Sequence, residues 1–147
     1  MSYGLKRYKT SRANTASRED LLLLLYEGAI RFLERSLVLK EEKKLADHKM
    51  ALRRGLAIIA ELQSTLDFEK GGDLALQLFE LYGYMLDQLT HANIAQDMEP
   101  IRIVIKHLNT LLEGWREAVR QVKSQGLGTG GAAPSAGQAG QLRVSSM

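Results

Sequence analysis

Several ingredients of specialised sites are missing from this chain. It contains no cysteine, which excludes disulfide bonds and thiolate metal sites. The leucine run at residues 21–25 is only five residues long and cannot span a bilayer. Residues 1–12 are polar and basic, without the apolar segment of a secretory signal. We therefore expect a soluble, cytosolic protein with no stable membrane insertion.

Residues that could support catalysis are also absent or badly spaced. None of the three histidines, His48, His91 and His107, has the glutamate three positions earlier that di-iron bundles use. No serine lies in a nucleophile-elbow pattern. The glycine-rich stretch at 126–131 follows a helical segment instead of joining a strand to a helix. The sequence predicts no enzyme, no metal site and no cofactor.

Four segments of the chain carry apolar residues at helical spacings of three and four. We expect these helices at about residues 17–43, 47–67, 73–96 and 98–123. The connections between them are short, which is typical of antiparallel neighbours, and the spacing favours crossing angles near 20°. The sequence therefore predicts an all-α fold, an antiparallel up-down four-helix bundle over residues 17–123.

Local signals mark the ends of these helices. Ser17, with Asp20 three positions later, resembles a capping box, which satisfies free N–H groups in a first turn. Asp97 is expected to cap the fourth helix, with Pro100 in its first turn. A break is expected at residues 71–73, between the second and third helices.

The two ends of the chain differ in composition from the bundle. The net charge of +3 is uneven, because residues 1–18 carry five lysines and arginines and no acid. We interpret residues 1–16 as a flexible basic arm. An arm of this charge could keep the protein soluble, or it could bind nucleic acid, anionic lipid or an acidic patch of another protein. Residues 124–147 are rich in glycine, alanine and serine and are expected to form a disordered tail.

Some residues on the predicted helices are not needed for helix formation. Gly28 and Gly83 each cost about 1 kcal/mol relative to alanine, which indicates that something packs closely against the backbone there. Tyr26, Tyr82 and Tyr84 bring hydroxyl groups that need hydrogen-bond partners when buried.

Apolar residues also exceed what one buried stripe per helix can use. The surplus includes residues 21–25 on the first helix, and Leu74, Leu81 and Ile94 on the third. An apolar excess of this kind favours an exposed groove that accepts an amphipathic helix of another chain. The alternative is packing against helix ends or against the N-terminal arm.

Three motifs, in order along the chain, carry a resemblance to a known family. They are 14–17 (NTAS) leading to 25–28 (LYEG), then 81–85 (LYGYM) leading to Leu89, 92–93 (AN) and Asp97, and finally 115–118 (WREA). From Tyr8 to about residue 122 this arrangement resembles FliS, the flagellar export chaperone family that escorts flagellin. The family commonly has proline at the position of Arg18, so this chain departs from the family pattern there. Residues 124–147 match no part of that pattern.

The resemblance implies a cytosolic chaperone that grips the C-terminal segment of flagellin, prevents premature polymerisation and passes it to the flagellar export gate. The expected binding groove runs along the first and third helices, with Tyr8 as a plug supplied by the arm. The residues expected to form this groove or its plug are Tyr8, Leu25, Tyr26, Gly28, Leu81, Tyr82, Met85, Leu89, Ala92 and Asn93. Asn93 would hydrogen-bond either a neighbouring helix or the guest backbone.

Two other functions stay open from the residues alone. A helical scaffold could self-associate as a homodimer through the same groove. A nucleic-acid-associated protein could use the basic arm, although the chain lacks a recognition-helix motif. With the resemblance, the expected partners are flagellin and a component of the export gate, and no nucleic acid.

Overall fold

The computed structural model describes residues 17–129 as four helices joined by short connections. They are α1 (Arg18–Glu41), α2 (Leu45–Ser64), α3 (Phe68–Ala95) and α4 (Glu99–Thr129). Each helix packs on the next and α4 packs back on α1, so that α1 lies diagonally opposite α3. The predicted all-α four-helix bundle is confirmed.

Contacts between helices show their relative direction. Asp20 pairs with Lys123 and Glu27 with Arg116, both at 2.8 Å, so residue numbers rise along α1 as they fall along α4. The hydrogen bonds between α2 and α3 follow the same antiparallel rule. The chain therefore enters α1 at the end of the bundle where α3 begins and α4 ends.

Side-chain caps begin three of the helices. Ser17 Oγ accepts from the Asp20 N–H at 3.1 Å, as predicted. Asp97 Oδ1 accepts from the Glu99 N–H at 3.1 Å, which confirms a capping role at the start of α4. Asp67 Oδ1 accepts from the Lys70 N–H at 3.0 Å, and this cap starts α3 at Phe68.

Two helix boundaries differ from the prediction. The expected break near residues 71–73 exists, but it lies inside α3, at Gly72, with φ 54° and ψ −130°. That backbone conformation strains any residue with a Cβ. At the other end of the chain, α4 continues to Thr129, so residues 124–129 are helical rather than part of a disordered tail. Residues 1–16 and 130–147 lie outside the described residues.

All four helices contribute to one apolar core. Its members with essentially no exposed surface include Leu33, Ile59, Met85, Leu89, Ile101 and Leu108. Burial of this kind stabilises a protein by about 25 cal/mol per Å² of apolar surface removed from water. The core therefore fixes which face of each helix points inward.

The tightest approach between helices is at Gly55 of α2. A Cβ added there would lie 2.6 Å from Leu33 Cδ2 and 2.9 Å from Leu33 Cγ on α1. Leu33 is fully buried, so it has little room to move away. Gly55 thus lets α1 and α2 come close together.

We expect Gly55→Ala to destabilise the bundle by about 1–3 kcal/mol, because overpacking outweighs the gain in helix propensity. Gly114→Ala is the matched control, since a Cβ there meets nothing within 4 Å. This control should stabilise by up to about 1 kcal/mol. Urea unfolding measures both. Equal effects of the two substitutions would contradict the assigned role of Gly55.

Candidate partner-binding surfaces

A tyrosine pair occupies the centre of the bundle. Tyr26 of α1 and Tyr82 of α3 are fully buried, and their hydroxyls share a hydrogen bond across the diagonal. Trp115 of α4 lies edge-on to Tyr26, with ring centroids 6.5 Å apart. Each of these buried hydroxyls needs a hydrogen-bond partner, and each is the partner of the other.

Burial controls the ionisation of this pair. It raises the pKa of Tyr26 to about 12, while the hydroxyl of Tyr82 and the indole of Trp115 partly oppose that rise. The Trp115 N–H acts weakly, because it reaches hydrogen-bonding geometry with no described residue. Burial, and then the neighbouring Tyr26, raise the pKa of Tyr82 well above 10. Both hydroxyls are therefore neutral at physiological pH.

Most of the predicted groove residues lie in the bundle interior. The buried ones are Leu25, Tyr26, Gly28, Tyr82, Met85, Leu89 and Ala92, and the half-buried ones are Leu81 and Asn93. Tyr8 lies outside the described residues. α1 and α3 face each other across the core and are not adjacent, so these residues point into the bundle rather than along one outer surface. That these residues contribute to partner binding stays a prediction. Because they are buried, they would contribute by supporting the binding surface from beneath.

Asn93 bonds to a neighbouring helix, which was one of its two predicted roles. Lys49 Nζ on α2 donates to Asn93 Oδ1 at 3.2 Å. One turn away, Lys40 of α1 donates to the side chain of Gln96. The C-terminal end of α3 is thus tied to both α1 and α2.

The close packing predicted at Gly83 is also present. Gln63 Nε2 donates to the Phe79 carbonyl at 3.0 Å, and a Cβ on Gly83 would lie 3.3 Å from that nitrogen. Gly28 shows only ordinary contact, 3.5 Å from Ile58 Cδ1. The approach at Gly55 went unnoticed in the sequence, because its partner Leu33 lies on another helix.

A row of apolar side chains runs along the outer side of α3. We call it the α3 stripe; its exposed members are Phe68, Leu76, Phe79 and Ile94, and Leu86 is a half-buried member that also packs against the core. Ile94 is 78% exposed and Phe79 is 42% exposed, and the Phe68 and Phe79 rings meet edge-on at 5.8 Å. The sequence had marked Ile94 as surplus to the core. Leu76, Phe79 and Leu86 share the helical spacing of Ile94, but helical spacing alone does not separate them from core residues.

A second apolar feature lies between α3 and α4. This α3/α4 groove, of about 220 Å³, is lined by Leu74, Leu78, Thr110, Leu111, Gly114, Trp115 and Ala118. The groove lies towards the end of the bundle where α1 begins, near the ion pair between Lys123 and Asp20. The hydrogen bond from Lys123 holds the pKa of the Asp20 carboxyl below its usual range. Leu74, another surplus residue in the sequence, is thus a groove residue.

The described part of the chain offers little for other chemistry. Within residues 17–129, no group of three or more His, Asp or Glu side chains is placed to hold a metal ion. His48 is buried, and its Nδ1–H donates to the Ser36 carbonyl at 2.7 Å, which is a structural role. None of the four described helices is long and apolar enough to cross a membrane.

A helical bundle with a row of exposed apolar side chains is typical of a protein-binding module. Comparison with known proteins agrees with this class. The family model described as flagellar protein FliS matches residues 1–122. The chain is 36% identical to the flagellar secretion chaperone FliS of Campylobacter jejuni over 110 residues, covering 75% of this chain and 86% of that one. It is 34% identical to the Salmonella typhimurium protein of the same name over 119 residues, covering 78% and 88%.

A more distant relative extends the match. The flagellar secretion chaperone FliS of Bacillus subtilis is 27% identical over 126 residues, covering 86% of this chain and 93% of that protein. The chain belongs to the FliS family of flagellar secretion chaperones. The resemblance noted in the sequence is confirmed, and the family is one of chaperones rather than enzymes.

The tyrosine pair makes the free energy of unfolding depend on pH in the alkaline range. Because burial raises both pKa values above the unfolded value of about 10, the folded state binds protons more tightly. This contribution is fully present below pH 10 and is lost as the pH rises towards 12. We expect the free energy of unfolding to fall between pH 10 and 11, and to fall less in Tyr26→Phe/Tyr82→Phe.

Single substitutions test the hydrogen bond itself. Tyr26→Phe leaves the Tyr82 hydroxyl buried and unpaired, which should cost about 1–3 kcal/mol, and the double variant should cost less than the sum of the two single variants. Tyr84→Phe is the exposed control and should have little effect. Urea unfolding at pH 8 and pH 10.5 measures all four variants. Additive costs would show that the two hydroxyls do not act as a pair.

Proposed function

We propose that this chain is a cytosolic chaperone that binds the C-terminal helical region of flagellin, prevents its premature polymerisation and delivers it to the flagellar export apparatus. The names of its relatives, flagellar secretion chaperones, support a secreted flagellar guest. The observation that carries the binding surface is the exposed α3 stripe.

The geometry of the stripe suits a helical guest. From Leu76 to Ile94 it follows eighteen residues of α3, a length of roughly 27 Å at 1.5 Å per residue. A guest helix of similar length could lay its own apolar face along this row, as amphipathic helices do in grooves. Such binding removes apolar surface of both partners from water, and it needs no nucleotide or metal.

The buried tyrosine pair would support this surface from below. Tyr82 lies between Phe79 and Leu86 in the sequence of α3, and its bond to Tyr26 anchors that helix to α1. A helix held in this way presents the stripe as a rigid surface, which lowers the ordering cost of binding. The interior residues of the predicted site would thus act on the guest through α3.

In the free chaperone, we propose that the N-terminal arm covers the α3/α4 groove, with Tyr8 as the plug. The groove lies towards the end of the bundle where α1 begins, and the nine residues from Lys9 to Ser17 span at most roughly 30 Å. A short tether gives Tyr8 an effective concentration on the order of millimolar at the groove. A guest that extends from the α3 stripe across α3 into this groove would displace the arm and so mark the chaperone as loaded.

Self-association is the alternative use of the same apolar surface. It predicts a homodimer that dissociates when flagellin binds, whereas a dedicated guest site leaves the free protein monomeric. Analytical ultracentrifugation of the free chain and of its mixture with flagellin separates the two.

The stripe is tested by Phe79→Glu/Ile94→Glu. We expect flagellin binding to weaken at least about tenfold, because binding would bury the two new carboxylates against the guest. The helical circular dichroism should not change. Val38→Glu is the matched control, since Val38 is 53% exposed but lies on α1, away from the stripe. Calorimetric titration with flagellin gives the affinities. Binding of the double variant within about twofold of the parent would remove the stripe from the site.

The arm is tested by deleting residues 1–10. Trp115 is the only tryptophan of the chain and lines the α3/α4 groove, so its emission should shift to the red when the groove is uncovered. Apolar-dye binding and self-association of the free protein should also rise. Truncation of residues 130–147 is the control, and we expect it to change neither signal. If residues 3–10 exchange amide hydrogens equally fast with and without flagellin, and the deletion exposes nothing, the arm is not a lid.

A further inference from the structure

A second concave surface lies between α1 and α2, apart from the α3 stripe and the α3/α4 groove. This α1/α2 cleft, of about 240 Å³, is lined by Phe32, Arg35, Leu39, Asp47, Met50, Ala51 and Arg54. Leu39 and Ala51 form a buried apolar floor, and Met50 is 51% exposed at the edge. The cleft therefore combines apolar surface with two arginines and a single acid.

The arginines of this cleft are not engaged by carboxylates. The Arg54 guanidinium lies 5.9 Å from the Phe32 ring centroid, and its Nη2 is 3.8 Å from Met50 Sδ. Among the described residues neither Arg54 nor Arg35 forms an ion pair, whereas the three arginines of α4 each pair with a glutamate. A guanidinium held against apolar groups keeps its forked N–H donors available for an incoming carboxylate.

Other possible occupants of the cleft do not fit its charge and position. The basic arm carries the same positive charge as the two arginines of the cleft, so the cleft repels it. The α3 stripe lies on the helix diagonally opposite α1. A nucleic acid would gain from the arginines but nothing from the apolar floor, and it would face the carboxylate of Asp47.

We propose that the α1/α2 cleft docks an acidic amphipathic helix of a second protein. Carboxylates of that helix bind Arg35 and Arg54, and one of its apolar side chains packs between Phe32 and Met50. This site goes beyond guest binding, because it leaves the α3 stripe free. The chaperone can then hold its guest and the second protein at the same time.

The test uses two synthetic helical peptides and the full-length chain. The first peptide carries leucines at positions i, i+3, i+4 and i+7, flanked by glutamates, and the second has a lysine in place of each glutamate. In amide NMR titrations, the acidic peptide should shift resonances of residues 32–54 and bind at least about tenfold more tightly than the basic one. Saturating flagellin should leave this binding unchanged.

Charge reversal in the cleft gives the decisive comparison. Arg35→Glu/Arg54→Glu should weaken the acidic peptide at least about tenfold and make the basic peptide the preferred ligand. Arg53→Glu is the matched control, an exposed arginine next to Arg54 that does not line the cleft. Arg35→Gln/Arg54→Gln repeats the test without adding negative charge, and circular dichroism verifies the fold of each variant.

Several results would overturn the proposal. They are equal binding of the two peptides, shifts confined to α3 or α4, and an equal loss of affinity in Arg53→Glu and in the double reversal. A duplex oligonucleotide that displaces the acidic peptide, with affinity falling steeply as salt rises, would assign the cleft to nucleic acid instead.

Discussion

The hydrogen bond between the Tyr26 and Tyr82 hydroxyls is the constraint around which the bundle is arranged. Two hydroxyls in an apolar core are costly unless they find each other, and here they join helices that are diagonal rather than adjacent. A buried hydrogen bond adds a directional requirement to the close packing of the apolar side chains around it. The pair therefore contributes to the register of α3 against α1, and Trp115 of α4 packs against it.

That arrangement explains why the outer faces differ from one another. On one side, Gly55 lets α1 and α2 approach closely, and their outer cleft is apolar at its floor and cationic at its rim. On the other side, α3 uses one apolar row for the core and still has a second, the α3 stripe, exposed to solvent. Under the proposed function, this surface would cover the apolar face of the guest. The ties from Lys40 and Lys49 keep the end of α3 in place without covering the stripe.

Several features of the chain were predictable from local rules. The four helices, the caps at Ser17 and Asp97, the break near Gly72 and the need of two tyrosines for partners follow from spacing, capping and hydrogen-bonding chemistry that act within a few residues. The family followed from three ordered motifs. The start of α3 at Phe68 was missed, because the Asp67 cap lies before the glycines that looked like a boundary. The extension of α4 to Thr129 was missed, because composition suggested disorder there.

The sequence by itself thus determined the number, class and approximate extent of the helices, while the tertiary structure decided which residues face outward. Helical periodicity shows that residues share a face, but it does not show which face meets the neighbouring helices. On α3 two apolar rows compete for the core. The buried row is Leu78, Tyr82, Met85 and Leu89, and the exposed row is Leu76, Phe79 and Ile94, with Leu86 half-buried at its edge. Packing against three neighbouring helices buries the first row, and this brings the Tyr82 hydroxyl within hydrogen-bonding reach of Tyr26 across the diagonal.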